Sequence, residues 1–116
     1  VVSLVESKTD KVSGSSLNEE QIAWIYQECM HRYGEDTQLL VLAEECNELA
    51  RAIVRHMQNR SYDKRDLTLS AIKEEMADVE NLLDQFREGA GWGMMLTIIK
   101  LTKLARLYNR LKGLEP

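Results

Sequence analysis

A chain of 116 residues, 44% hydrophobic and 29% charged, has the composition of one small globular domain. Its formal charge of −4 argues against a nucleic-acid partner, and no stretch approaches the roughly 20 apolar residues of a membrane span. Cys29 and Cys46 form no CxxC pair, so a disulfide framework or zinc site is not expected, and reduced thiols point to the cytoplasm.

The opening "VVSLVESKTDKVSGSS" has neither the basic start nor the apolar run of a secretory signal. Residues 1–17 read as a polar, flexible arm whose Val1, Val2, Leu4 and Val5 offer an edge for docking on a neighbour. The sole proline is Pro116, so nothing inside residues 18–116 forbids helix. "SSLNEEQIAWIYQECMHRYG" begins with cap-type residues and early acids and stops at Gly34. "EDTQLLVLAEECNELARAIVRHM" is a second, longer helix, and the polar "QNRSYDKRDLT" reads as a turn. A third helix is expected through "LSAIKEEMADVENLLDQFRE", then a break at "GAGWG". The fourth, "MMLTIIKLTKLARLYNRLKG", closes at Gly113. With no strand-like alternation of useful length, the fold class is all-α: a four-helix bundle.

Two of these helices carry acids on their apolar stripes. At about 100° per residue, Glu48 lies about 60° from Glu45, with Val41, Leu42, Leu49 and Ala52 on the same side. Asp78 lies about 60° from Glu75, among Ile72, Val79, Leu82 and Phe86. Inward carboxylates have to be neutralised, paired or bound to metal. Neither Glu45 nor Glu75 has a base at i+4, where Leu49 and Val79 stand. A divalent cation is the economical answer, and an all-oxygen donor set selects Mg²⁺, for which Mn²⁺ can substitute. A di-iron site would use Glu-x-x-His, and the third residue after each Glu is here Glu48 or Asp78. His56 shares the stripe of Glu45 but stands about three turns further along, so it reads as a polar residue near the helix end.

Glu44-Glu45-Cys46-Asn47-Glu48, followed after a gap by Glu75-Met76-Ala77-Asp78, resembles the EExxE and ExxD motifs of the MazG-type all-α nucleoside triphosphate pyrophosphohydrolases. The flanks "YGEDTQLLVLAEECNELARAI" and "EEMADVENLLDQF" are similar to those of small stand-alone and phage-encoded members, and the resemblance spans residues 18–87. It implies cleavage between the α- and β-phosphates of a nucleoside triphosphate, giving a monophosphate and pyrophosphate, with a role in cleansing the nucleotide pool. Carried over, Glu45, Glu48, Glu75 and Asp78 would hold Mg²⁺. Glu44, at the edge of the stripe, would orient or deprotonate the attacking water, or hold a further ion. Small members look like dimers or dimers of dimers.

Lys100, Lys103, Arg106 and Arg110 form one stripe of the fourth helix, either a solvated face or a phosphate-binding one. Gln38, on the inward stripe ahead of Glu45, is placed either to read a base edge or to make a buried amide hydrogen bond. "GAGWG" lacks GK[ST] and is not a P-loop. Trp24 and Trp92 read as packing residues. The wide apolar arc of Met94, Ile98, Ile99, Leu101, Leu104, Ala105, Tyr108 and Leu111 predicts a homo-oligomer, dimer or tetramer, that completes the core. The competing reading is a noncatalytic helical dimerisation module whose acids bind a structural ion or a basic partner.

Overall fold

The computed structural model describes residues 11–59 and 62–114. Among them it is all-helical: α1 (Glu19–Tyr33), α2 (Glu35–Gln58), α3 (Arg65–Asp84), a π-helical segment (Gln85–Gly89) and α4 (Gly93–Leu111). Short 3₁₀ turns occupy Gly14–Ser16 and Tyr62–Lys64. The proposed docking edge of Val1, Val2, Leu4 and Val5 lies outside the described residues.

Each boundary has a local cause. Asn18 caps α1: its side chain accepts from the Gln21 amide at 2.8 Å, and Gln21 returns the contact to the Asn18 amide at 2.9 Å. Glu19 and Glu20 add negative charge at the positive end of the helix dipole. Gly34 alone joins α1 to α2, at φ 84° and ψ 159°, a conformation that a side chain would make strained. The expected stops at Gly34 and Gly113 therefore stand where the backbone turns to positive φ.

Two expectations need correction. The stretch read as a turn through Thr68 is already helical from Arg65, because Asp66, Leu67 and Thr68 have no feature that prevents helix. The hydroxyl of Thr68 bonds back to the carbonyls of Lys64 and Arg65, at 3.1 and 3.0 Å. The third helix also does not run as one α-helix to Glu88, since its last turn widens into the π segment. That widening lets the consecutive residues Gln85 and Phe86 both face inward, and Phe86 is 2% exposed.

The π segment is the hub of the molecule. It packs on α1 so closely that Gly89 has no room for a side chain: a Cβ there would lie 2.5 Å from the Tyr26 carbonyl oxygen. The Tyr26 hydroxyl donates to Asn81 Oδ1 at 3.3 Å and ties α1 to α3. The ring of Phe86 meets that of Trp92 at 4.9 Å, so Trp92 is a packing residue, whereas Trp24 lies half exposed on α1.

The principal helix pair is α2 with α3. Contacts run from Gln38–Gln85 at one end to His56–Thr68 at the other, so the two helices are antiparallel. By contrast, α4 meets the other helices chiefly through the π segment, where Arg87 Nη1 donates to the Gly93 carbonyl at 3.2 Å and to Thr97 Oγ1 at 2.8 Å. No residue of α4 is buried. The radius of gyration is 18.6 Å, against about 13 Å for a compact domain of this length. Among the described residues only Ala52, Ile72 and Phe86 form a buried apolar core.

Candidate metal centre

Glu45 of α2 and Glu75 and Asp78 of α3 converge across the seam between the two helices. Each offers a carboxylate oxygen, and these oxygens all lie within 4.8 Å of one another. The cause is register. Glu75 and Asp78 are neighbours on one face of α3, and the antiparallel pairing brings that face against the Glu45 turn of α2. Glu45 and Glu75 are half buried and Asp78 is exposed. The acids therefore stand along the rim of the seam rather than in a closed interior.

Their mutual repulsion is visible at Glu45. Its carboxyl is raised above the ordinary value, first by desolvation and then by the charges of Asp78, Glu75, Glu48 and Glu44. That is the electrostatics of a site short of positive charge. Three carboxylate oxygens within 4.8 Å of one another would be the ligands of such an ion, and the ion would supply the positive charge that the cluster lacks. The donor set is entirely oxygen and fits a hard divalent cation.

Other residues singled out from the sequence lie elsewhere. Glu48 is exposed and forms an ion pair with Arg51 at 2.6 Å. Arg51, at i+3, is a partner that inspection of the i+4 positions does not find. Glu44 is exposed beside Glu45 on α2 and belongs to the cluster through its charge. Gln38 is buried, and its Oε1 accepts from Gln85 Nε2 at 2.5 Å, so its amide takes the buried hydrogen bond. Lys100, Lys103 and Arg106 line an open groove along α4 with Leu104, Leu107 and Arg110, on a different element from the acids.

His56 is bonded rather than free: its Nδ1 lies 2.7 Å from Thr68 Oγ1. Either atom can donate: the Thr68 hydroxyl has one proton to share among His56 and the carbonyls of Lys64 and Arg65. The residue that sequence reasoning missed is Gln85. It lies between the acidic motif and the glycine-rich break, and the visible signal is a lone amide next to Phe86 where an apolar residue would continue the stripe.

No known protein family matches this chain, and neither a curated protein nor a solved structure gives a match.

Proposed function

We propose that the protein is a Mg²⁺-dependent nucleoside triphosphate pyrophosphohydrolase, cleaving (d)NTP to (d)NMP and pyrophosphate. The observation that carries the reading is the convergence of Glu45, Glu75 and Asp78 to within 4.8 Å across two helices. The order and spacing of the acidic motifs, similar to those of the MazG-type enzymes, support it from the sequence.

In this reading Glu45, Glu75 and Asp78 hold the ion. Glu48 is the fourth ligand: its pair with Arg51 is exposed and contributes little, so it exchanges readily for a cation. Bound there, a divalent ion would neutralise the triphosphate and acidify a water. Glu44 stands one residue from the ligands, free of the seam, where its carboxylate can orient the attacking water and accept its proton. The water oxygen bonds to the α-phosphorus as the bond from that phosphorus to the bridging oxygen breaks. Pyrophosphate leaves with that oxygen. Lys100, Lys103 and Arg106, on a helix that contributes none of the acids, are assigned to the phosphates, and a second subunit is proposed to bring the two sets together.

The chain acts as a homo-oligomer in this proposal. Met94 is 81% exposed and Leu111 78%, with Met95, Ile98, Leu101 and Tyr108 also open on α4. A contiguous apolar face of this kind marks an interface. No helix among the described residues is long and apolar enough to cross a membrane.

The test is to incubate the chain with the eight common NTPs and dNTPs and Mg²⁺, then Mn²⁺, and assay pyrophosphate. Release from at least one nucleotide, lost in Asp78→Asn, is the expected result. No release with either ion sinks the enzyme reading and leaves the acids to a structural ion or a basic partner. Light scattering on eluting protein at micromolar concentration checks the oligomer. A 13.4 kDa monomer that still hydrolyses nucleotide overturns the shared site.

A further inference from the structure

Among the described residues, half of those buried are polar: Gln38, Thr68 and Gln85 stand beside Ala52, Ile72 and Phe86. Burying amides is costly unless they are hydrogen-bonded, and a small core has little apolar contact to offset that cost. Their placement is specific. Gln38 precedes Glu45 by about two helical turns, and its partner Gln85 follows Asp78 by about two turns. On the other side, His56 follows Glu45 by about three turns, and its partner Thr68 precedes Glu75 by about two. Two hydrogen-bonded pairs thus bracket the three acids along the same seam. Gln85 also reaches a third helix, with Nε2 3.4 Å from Met30 Sδ on α1.

The acids cannot set this register themselves. Three like charges with oxygens within 4.8 Å favour any slip that separates them. Apolar contacts discriminate poorly, since so few are buried. A slip of α3 by one turn moves it about 5.4 Å along α2. That takes Gln85 out of reach of Gln38 and leaves two buried amides unpaired, an outcome a folded chain avoids. Single buried polar groups fix register in helical coils in the same way.

We infer that the buried Gln38–Gln85 pair is the register lock of α2 against α3, and that both are positioning residues holding Glu45 opposite Glu75 and Asp78. This rests on the metal reading for its consequence but not for its geometry. Gln38 and Gln85 act through the acids and touch no substrate.

The test uses the full chain with Q38M/Q85M, which keeps side-chain length and removes the hydrogen bond from both sides. Replacing both partners with apolar groups of similar shape costs little stability, so helicity and melting temperature are expected to hold. A merely structural pair would show its effect there. The register is read by the nuclear Overhauser contact between the His56 ring and the Thr68 methyl, at the far end of the seam. Metal is read by titrating Mn²⁺ alone with water-proton relaxation. The double variant is expected to lose the Overhauser contact and to bind Mn²⁺ at least roughly tenfold more weakly, as when outer residues that orient ligands are removed. Q38E, which keeps the acceptor oxygen, is expected to retain the contact. A double variant with native contact and native Mn²⁺ affinity overturns the lock. So does one that loses helicity outright, because the pair would then hold the fold and not the register. If the unmodified chain binds no Mn²⁺, the metal reading fails alone and the Overhauser contact still decides the register.

Discussion

Replacing Gly89 by alanine sets two physical effects against each other. Alanine is the better helix former, by up to about 1 kcal/mol. Yet a Cβ at this position would lie 2.5 Å from the Tyr26 carbonyl oxygen, 2.9 Å from its carbonyl carbon and 3.0 Å from Met30 Cγ. Close carbon–oxygen contacts in proteins sit near 3.3 Å, so α1 would have to retreat by about 0.8 Å. The obstacle is backbone, which cannot swing aside as a side chain does. Overpacking of this kind costs about 1–3 kcal/mol. With the full propensity gain subtracted, the net loss is about 0–2 kcal/mol, centred near 1, and for a chain of this size the melting temperature falls by roughly 5 °C. Circular dichroism at 222 nm during heating, at fixed protein concentration, measures it. The control is Gly14→Ala, where nothing lies within 4 Å and the change should stay within about 0.5 kcal/mol. A Gly89→Ala protein that melts at or above the parent temperature would refute the proposed seating of the π segment on α1.

Phe86→Ala removes a fully buried large side chain and its contact with Trp92; a loss of about 3–5 kcal/mol is expected in urea titration, enough to unfold much of the population. Glu45 has a carboxyl raised in the folded state, so the metal-free fold gains stability from its protonation below the ordinary carboxylate range and loses it as pH rises through the raised value. Metal-free Glu45→Gln should therefore melt above the parent at pH 7, with the difference vanishing below the ordinary carboxylate range, where Glu45 is protonated folded and unfolded alike. Mn²⁺ affinity runs the other way and falls on acidification, because protons compete for the ligands. Asp78→Asn abolishes Mn²⁺ binding, Glu48→Gln weakens it, and Arg51→Ala, which releases Glu48, tightens it; calorimetric titration separates the three.

Much of the architecture was legible because its causes are local. The cap at Asn18, the stop at Gly34 and the absence of internal proline set α1 and α2 without reference to the rest of the chain. The convergence of Glu45, Glu75 and Asp78 was legible because the acids fell on apolar stripes, which have to meet something. Glu48 separates from them for a reason the wheel understates. Arg51, three residues further on, draws its carboxylate into an ion pair at 2.6 Å. The π segment was not legible, since nothing in "DQFREGA" distinguishes a five-residue hydrogen-bond pattern from a four-residue one until α1 packs against Gly89. Gln38 could be placed inward from its position alone. That its partner is Gln85 depends on the pairing of two helices, which no periodicity within either one contains.

The clasp that Arg87 makes on Gly93 and Thr97 gives α4 the mechanics of a lever. The helix has 19 residues and is about 28 Å long, so a swing of about ten degrees at the clasp carries its far end through roughly 5 Å. Lys100, just past the fulcrum, travels little, whereas Arg110 near the tip sweeps most of that arc. Any tilt at the clasp would therefore displace the basic residues by an amount that grows along the helix. A surface that grips the tip would sharpen all of them at once, and the same grip would make the aim of the outer arginines a readout of whether that surface is engaged.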